Sequence, residues 1–192
     1  MQEPPVSESY LIRRKVLKFV GGAFHVYDAQ GNLIAYSRQK AFKLKEDIRL
    51  FTDESMETEL LRINARAVID FSAAYDVYDS TTGECIGGLR RHGFKSLLRD
   101  AWALFDAEEN QLGTIAEDNM TLALVRRFIT NVVPQRFTAK IGDTPVCDFT
   151  QNFNPFVRKL QVTYRPESAG IFDRRLGMAA GVLLVAIEGA QQ

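Results

Sequence analysis

The segment from Leu176 to Ile187 reads LGMAAGVLLVAI and carries no charged or polar side chain on any face. Arg174 and Arg175 precede it and Glu188 follows it. A helix that is apolar all round needs burial on every side. At about 1.5 Å per residue it is roughly 18 Å long, short of the ~30 Å hydrocarbon core of a bilayer. The rest of the chain therefore has to supply a container. Gly177, Ala179, Ala180, Gly181 and Ala186 make the cylinder slim. Gly177 and Gly181 form a GxxxG, which in a membrane span would mark helix dimerisation. Each interior glycine costs roughly 1 kcal/mol against alanine, so the pair predicts walls packed close on both sides.

Upstream, one hairpin pattern recurs. FHVYDAQGNLIAYS starts at Phe24, YDVYDSTTGECIGGL at Tyr75 and WALFDAEENQLGTIA at Trp102. A looser copy, FTAKIGDTPVCDFT, starts at Phe137. Alternating apolar and polar residues read as half-buried strands, and the Gly, Asn and Asp between two such runs read as turns. Asp28, Asp79 and Asp106 recur at one place in the pattern, where a carboxylate can accept backbone N–H groups of the turn ahead. Repetition puts them at separate hairpin tips, so they are turn residues rather than a catalytic or metal cluster. Tyr10–Phe19, Ile48–Thr52, Leu60–Ala65 and Lys159–Tyr164 add short β-favourable runs. The total is about twelve strands. A sheet of that size closed on itself leaves a lumen, and the C-terminal helix is the apolar cylinder to fill it. One further helix is predicted near 119–132, capped by Asp118 or Asn119 and stopped by Pro134. Its apolar positions are Leu122, Val125, Ile129 and Val132, with Arg126 and Arg127 off that face. Gly21–Gly22 and Gly87–Gly88 read as turn or bulge glycines. The acidic stretch Asp53, Glu54, Glu57 and Glu59 reads as a solvated loop.

Composition narrows the function classes. Among 192 residues, Lys+Arg and Asp+Glu each total 24, a balance that argues against a dedicated nucleic-acid binder. Cys85 and Cys147 sit in no metal-ligand spacing and there are only two histidines, so no zinc site, metal or cofactor is expected. A reducing, cytoplasmic compartment follows. The first residues, MQEPPVSESY, lack the apolar core of a signal peptide and read as a flexible lead over 1–9. Residues 10–192 read as a single domain with no internal linker. His25 lies in a hairpin strand and His92 in a basic stretch, neither beside a Ser or Cys partner, and both read as structural. No P-loop or GxGxxG is present. Nothing marks an enzyme.

A barrel of about twelve strands around a hydrophobic C-terminal helix resembles the tubby C-terminal-like superfamily, which includes the tubby proteins, the phospholipid scramblases and the LURP-one-related proteins. The carrying stretches are YLIRRKVLKF, VYDAQGNLIAYSRQKAFKLKEDIRLFTDE from Val26 and FSAAYDVYDSTTGECIGGLRR from Phe71. GFKSLLRDAWALFD from Gly93, NFNPFVRKLQVTY from Asn152 and FDRRLGMAAGVLLVAIE from Phe172 complete them. The chain looks most like the LURP-one-related branch, which has many bacterial members, over nearly everything after Ser9. The resemblance implies the barrel and, through the tubby branch, a basic site for phosphoinositide head groups. That lysine–arginine site does not align residue by residue here. Scramblase features are missing. Only Pro4 and Pro5 stand near the N-terminus, no cysteine precedes Cys85, and RPESAGIFD before the helix lacks alternating calcium ligands.

Two basic stretches are candidates for an anion site. One is Arg38, Lys40, Lys43 and Lys45. The other is Arg90, Arg91, Lys95 and Arg99, with His92. Arginine offers a bidentate fork to phosphate and lysine a point charge. Basic residues near an anionic membrane add roughly 1 kcal/mol each. A solvated strand face or barrel rim is the plainer reading of both, and Arg13, Arg14, Lys15 and Lys18 read as an exposed strand face. The resulting expectation is a non-enzymatic barrel, cytoplasmic or peripheral to a membrane, binding an anionic ligand such as a phospholipid or phosphoinositide head group. The alternative is a protein-interaction module with no lipid ligand, docking partners through exposed strands.

Overall fold

The computed structural model describes residues 9–17, 21–39, 47–69, 72–91, 101–117, 135–152 and 157–187. Twelve strands form a closed antiparallel barrel in which each strand pairs with the next and the last returns to the first. They are β1 (Ser9–Leu17), β2 (Gly21–Tyr27), β3 (Leu33–Gln39), β4 (Asp47–Phe51), β5 (Glu59–Ile69) and β6 (Ser72–Asp79). Then come β7 (Cys85–Arg91), β8 (Ala101–Phe105), β9 (Gln111–Glu117), β10 (Gln135–Ile141), β11 (Thr144–Asn152) and β12 (Val157–Tyr164). Closure is made by the β1–β12 ladder, from Ser9 opposite Thr163 to Lys15 opposite Val157. The predicted second helix near 119–132 lies outside the described residues.

The recurring aspartates do what turn chemistry requires. Asp28 Oδ1 accepts the amides of Gln30 at 2.9 Å and Asn32 at 2.8 Å. Asp106 Oδ1 accepts the amide of Asn110 at 2.7 Å, and Asp79 Oδ1 that of Thr81 at 2.8 Å. Hydrogen bonds from Asn32 hold Asp28, and from Asn110 hold Asp106, below the usual carboxylate range. At Gly87 the sheet bulges against Val77 and Tyr78, and a Cβ there would lie 2.4 Å from the Phe105 carbonyl.

The lumen holds helix α1 (Arg174–Ile187). Its residues from Leu176 to Ala186 are buried except for half-buried Met178. Inward strand residues such as Ile12, Phe24, Leu50, Ile63, Leu89, Phe137 and Leu160 pack around it. The expected close approach is seen at both glycines. A Cβ on Gly181 would sit 2.6 Å from Ile12 Cδ1, and one on Gly177 2.5 Å from the Tyr164 hydroxyl. No helix among the described residues is long and apolar enough to cross a membrane.

Polar anchors hold both ends of α1. At its start, Asp173 caps the helix by accepting the Arg175 amide at 2.8 Å. Tyr164 donates to the Arg174 carbonyl at 2.7 Å. Arg175 reaches from the helix to Asp79 on β6. At the far end, Arg14 donates from Nη1 to the carbonyls of Val185 at 3.0 Å and Ala186 at 3.2 Å. A cation there complements the negative end of the helix dipole.

A candidate anion-binding end of the barrel

In a closed meander, alternate connections share an end. The helix runs from the end that carries Tyr164 toward the end that carries Arg14, so the two ends are chemically distinct. Near the helix start lie turns 28–32, 52–58, 80–84, 106–110, 142–143 and 165–173. Together they hold eleven Asp or Glu and one basic residue, Arg165. The remaining connections, 18–20, 40–46, 70–71, 92–100, 118–134 and 153–156, join strand ends on the helix-terminus side. Their sequences hold eight Lys or Arg and four Asp or Glu. Lys40, Lys43, Lys45, Lys95, Arg99 and His92 fall within them and lie outside the described residues.

The two arginines at the end of β7 do not act together. Leu89 and Gly87 face the helix, and Arg91, two positions on, shares their face opposite buried Trp102. Arg90 faces outward. Its guanidinium stacks 4.1 Å from the Phe105 ring centroid and pairs with Glu109 at 2.9 Å. Glu109 also takes Arg66 at 2.6 Å, and Arg66 pairs with Asp76. These two guanidinium groups hold the Glu109 carboxyl below its ordinary value. Arg90 thus sits in an ion network on the outer wall. Arg38 is exposed on β3 and donates from Nε to the Tyr36 hydroxyl at 3.1 Å. His25 faces outward as well, with Nε2 3.0 Å from Glu54 Oε1 and its ring against Tyr36.

The expected exposed face for Arg13 and Arg14 is corrected at Arg14. Adjacent residues on a strand point to opposite sides. Arg13 lies outward over Tyr27, whereas Arg14 follows Ile12 inward and is 5 % exposed. Its guanidinium lies 5.3 Å from the Phe24 ring centroid. Directly opposite on β12 is Arg158. Like-charged residues at one register position repel. Burial, and then the charge of Arg158, push the Arg14 guanidinium down to about 10. Burial also lowers Arg158. Arg14 Nε and Arg158 Nη1 are buried without a hydrogen-bond partner, and neither side chain pairs with a carboxylate among the described residues. Gln151 stands opposite Leu160, one interior position from Arg158, with its Oε1 also unpartnered.

Arg14 escapes a reading of YLIRRKVLKF because apolar residues occupy both faces of that strand. The pairing of β1 with β12 is what brings Arg14 and Arg158 together. The excess of carboxylates at the helix start is legible only once the described turns are assigned to that end.

Comparison with known proteins agrees with this architecture. No curated protein matches the chain. A solved X-ray structure of a protein from Arabidopsis thaliana is similar, with a TM-score of 0.52 at 13% identity, covering 99% of this chain and 97% of that one. The likeness carries the fold alone. The model of the LURP-one-related family matches residues 8–184. The chain therefore belongs to the LURP-one-related family.

Proposed function

We propose that this protein is a non-enzymatic barrel that binds an anionic ligand, such as a phospholipid or phosphoinositide head group, at a membrane surface. The observation that carries the reading is that carboxylates dominate the described turns at the helix start, whereas the sequences linking the opposite strand ends are rich in basic residues. A field of this kind orients a barrel against a negative surface, with the acidic end held away. Arg91 ends β7 on that side, and Lys40, Lys43, Lys45, Lys95 and Arg99 fall in the sequences that connect strands there. Arg90, committed to Glu109, contributes only if that network opens.

The contact is peripheral: the helix fills the barrel core and takes no part in spanning. Co-sedimentation with vesicles of phosphatidylcholine alone and of phosphatidylcholine with phosphatidylserine tests the reading. Binding to the anionic vesicles only, weakened by salt as counterions screen the basic end, is expected. Equal, negligible sedimentation with both compositions refutes it.

A further inference from the structure

We infer that Arg14 and Arg158 form an internal receptor for a single phosphate group at the mouth of the barrel, beside the last turn of α1. The inference deepens the anionic-ligand reading and rests on it.

Three observations carry it. First, the two guanidinium groups occupy one register position on neighbouring strands and share the interior face. Facing residues of adjacent strands have Cβ atoms about 4.5–5.5 Å apart, so both forks reach one small anion. Second, both retain buried N–H groups with no acceptor among the described residues: Arg14 Nε and Arg158 Nη1. A buried donor without an acceptor is costly, and a buried charge facing a like charge more so. Arg14 has one use already, since its Nη1 caps Val185 and Ala186. That cap fixes the guanidinium and leaves Nε unused. Arg158 has no described use at all. Third, Arg158 is only half-buried, whereas Arg14 is almost wholly enclosed. Arg158 is thus the more accessible of the two side chains.

A phosphate oxygen is the acceptor that this arrangement lacks. Planar guanidinium groups suit it because each presents paired N–H donors to a tetrahedral anion. The Gln151 side-chain amide can rotate to donate as well. The same chemistry serves a free phosphate and the phosphomonoester of a lipid such as phosphatidic acid.

The test uses inorganic phosphate and the full-length chain. Thermal melting is followed against phosphate concentration, with sodium chloride matching the ionic strength. A saturable rise in melting temperature beyond the chloride control is expected. Arg158→Gln is expected to weaken the apparent phosphate affinity at least tenfold while its circular dichroism stays that of the parent. Arg158→Lys, which keeps the charge and loses the fork, should recover part of the response. A parent that responds to phosphate no more than to chloride overturns the inference, as does an Arg158→Gln response equal to the parent's.

Vesicles containing phosphatidic acid distinguish the source. Competition between phosphate and these vesicles supports the site with a lipid phosphate as its occupant. Phosphate binding without competition supports it with free phosphate. Vesicle binding that Arg158→Gln leaves intact, with no phosphate response in the parent, sinks the internal receptor and leaves the membrane reading standing. Failure of both phosphate and vesicles sinks both.

Discussion

Arg14 on the first strand donates to the carbonyl of Val185 in the last turn of the helix at 3.0 Å, across 171 positions of sequence. One side chain thereby ties the barrel wall to its filling at the point where the helix carbonyls lose their own partners. Replacing Arg14 by methionine keeps the bulk and removes the donor. Hydrogen bonds from charged groups contribute about 1.5–3 kcal/mol, offset in part by relief of a buried charge beside Arg158. Arg14→Met is expected to destabilise the barrel by about 1–2 kcal/mol in urea unfolding, whereas Arg13→Met on the outer face should stay within about 0.5 kcal/mol. Equal effects of the two would contradict the inward placement of Arg14.

Gly181 tests the packing of helix against wall. Any Cβ there meets Ile12 Cδ1 at 2.6 Å and Val162 Cγ2 at 3.0 Å. Gly181→Leu has to displace two fully buried side chains and is expected to cost at least about 1–3 kcal/mol. Better helix propensity returns only about 1 kcal/mol. A melting temperature equal to the parent's would be incompatible with a helix threaded through this barrel.

Acid should loosen the hairpin tips and the helix base together. Burial alone would raise the Asp79 carboxyl, but hydrogen bonds from Thr81 and Arg175 bring it below its ordinary value. Asp28, Asp53 and Asp106 are lowered by their turn hydrogen bonds. A carboxyl with a folded pKa below its unfolded one stabilises fully above the unfolded value and loses that contribution as pH falls through the folded value. Stability is therefore expected to hold from neutrality to about pH 5 and to fall below about pH 4. In Asp79→Asn the fall should be shallower and the neutral-pH stability lower. Urea midpoints measured across this range check both statements.

The Arg66–Glu109–Arg90 network should behave as a surface feature. All three side chains are substantially exposed, at 39%, 53% and 39%. Glu109→Gln is expected to lower the melting temperature less than Arg14→Met does, and the loss should shrink at high salt. A large, salt-independent loss would mean that the network supports the wall more than its exposure suggests.

Local chemistry made most of the fold legible. Asp28, Asp79 and Asp106 act on amides two to four residues away, so each hairpin tip is written within its own segment. The helix was equally plain, because no surface tolerates an all-apolar cylinder. Long-range chemistry was not legible. In YLIRRKVLKF, Leu11 and Ile12 are apolar on opposite faces, so nothing local says which arginine turns inward. GGLRR poses the same problem for Arg90 and Arg91. Local density of basic residues points to Arg90, which the fold commits to Glu109, and not to Arg14 and Arg158, which only the β1–β12 pairing joins.

The proposed contact of the barrel with a negative surface, through the end where its helix terminates, is tested by neutralising charged residues in two sets and sedimenting each variant with phosphatidylcholine–phosphatidylserine vesicles. At roughly 1 kcal/mol per lysine, replacing Lys40, Lys43 and Lys45 with glutamine should weaken binding on the order of a hundredfold. Replacing Asp53, Glu54 and Glu57 with glutamine at the opposite end should leave binding unchanged or strengthen it. Binding that survives the lysine replacements, or that is lost with the carboxylates instead, would contradict the account.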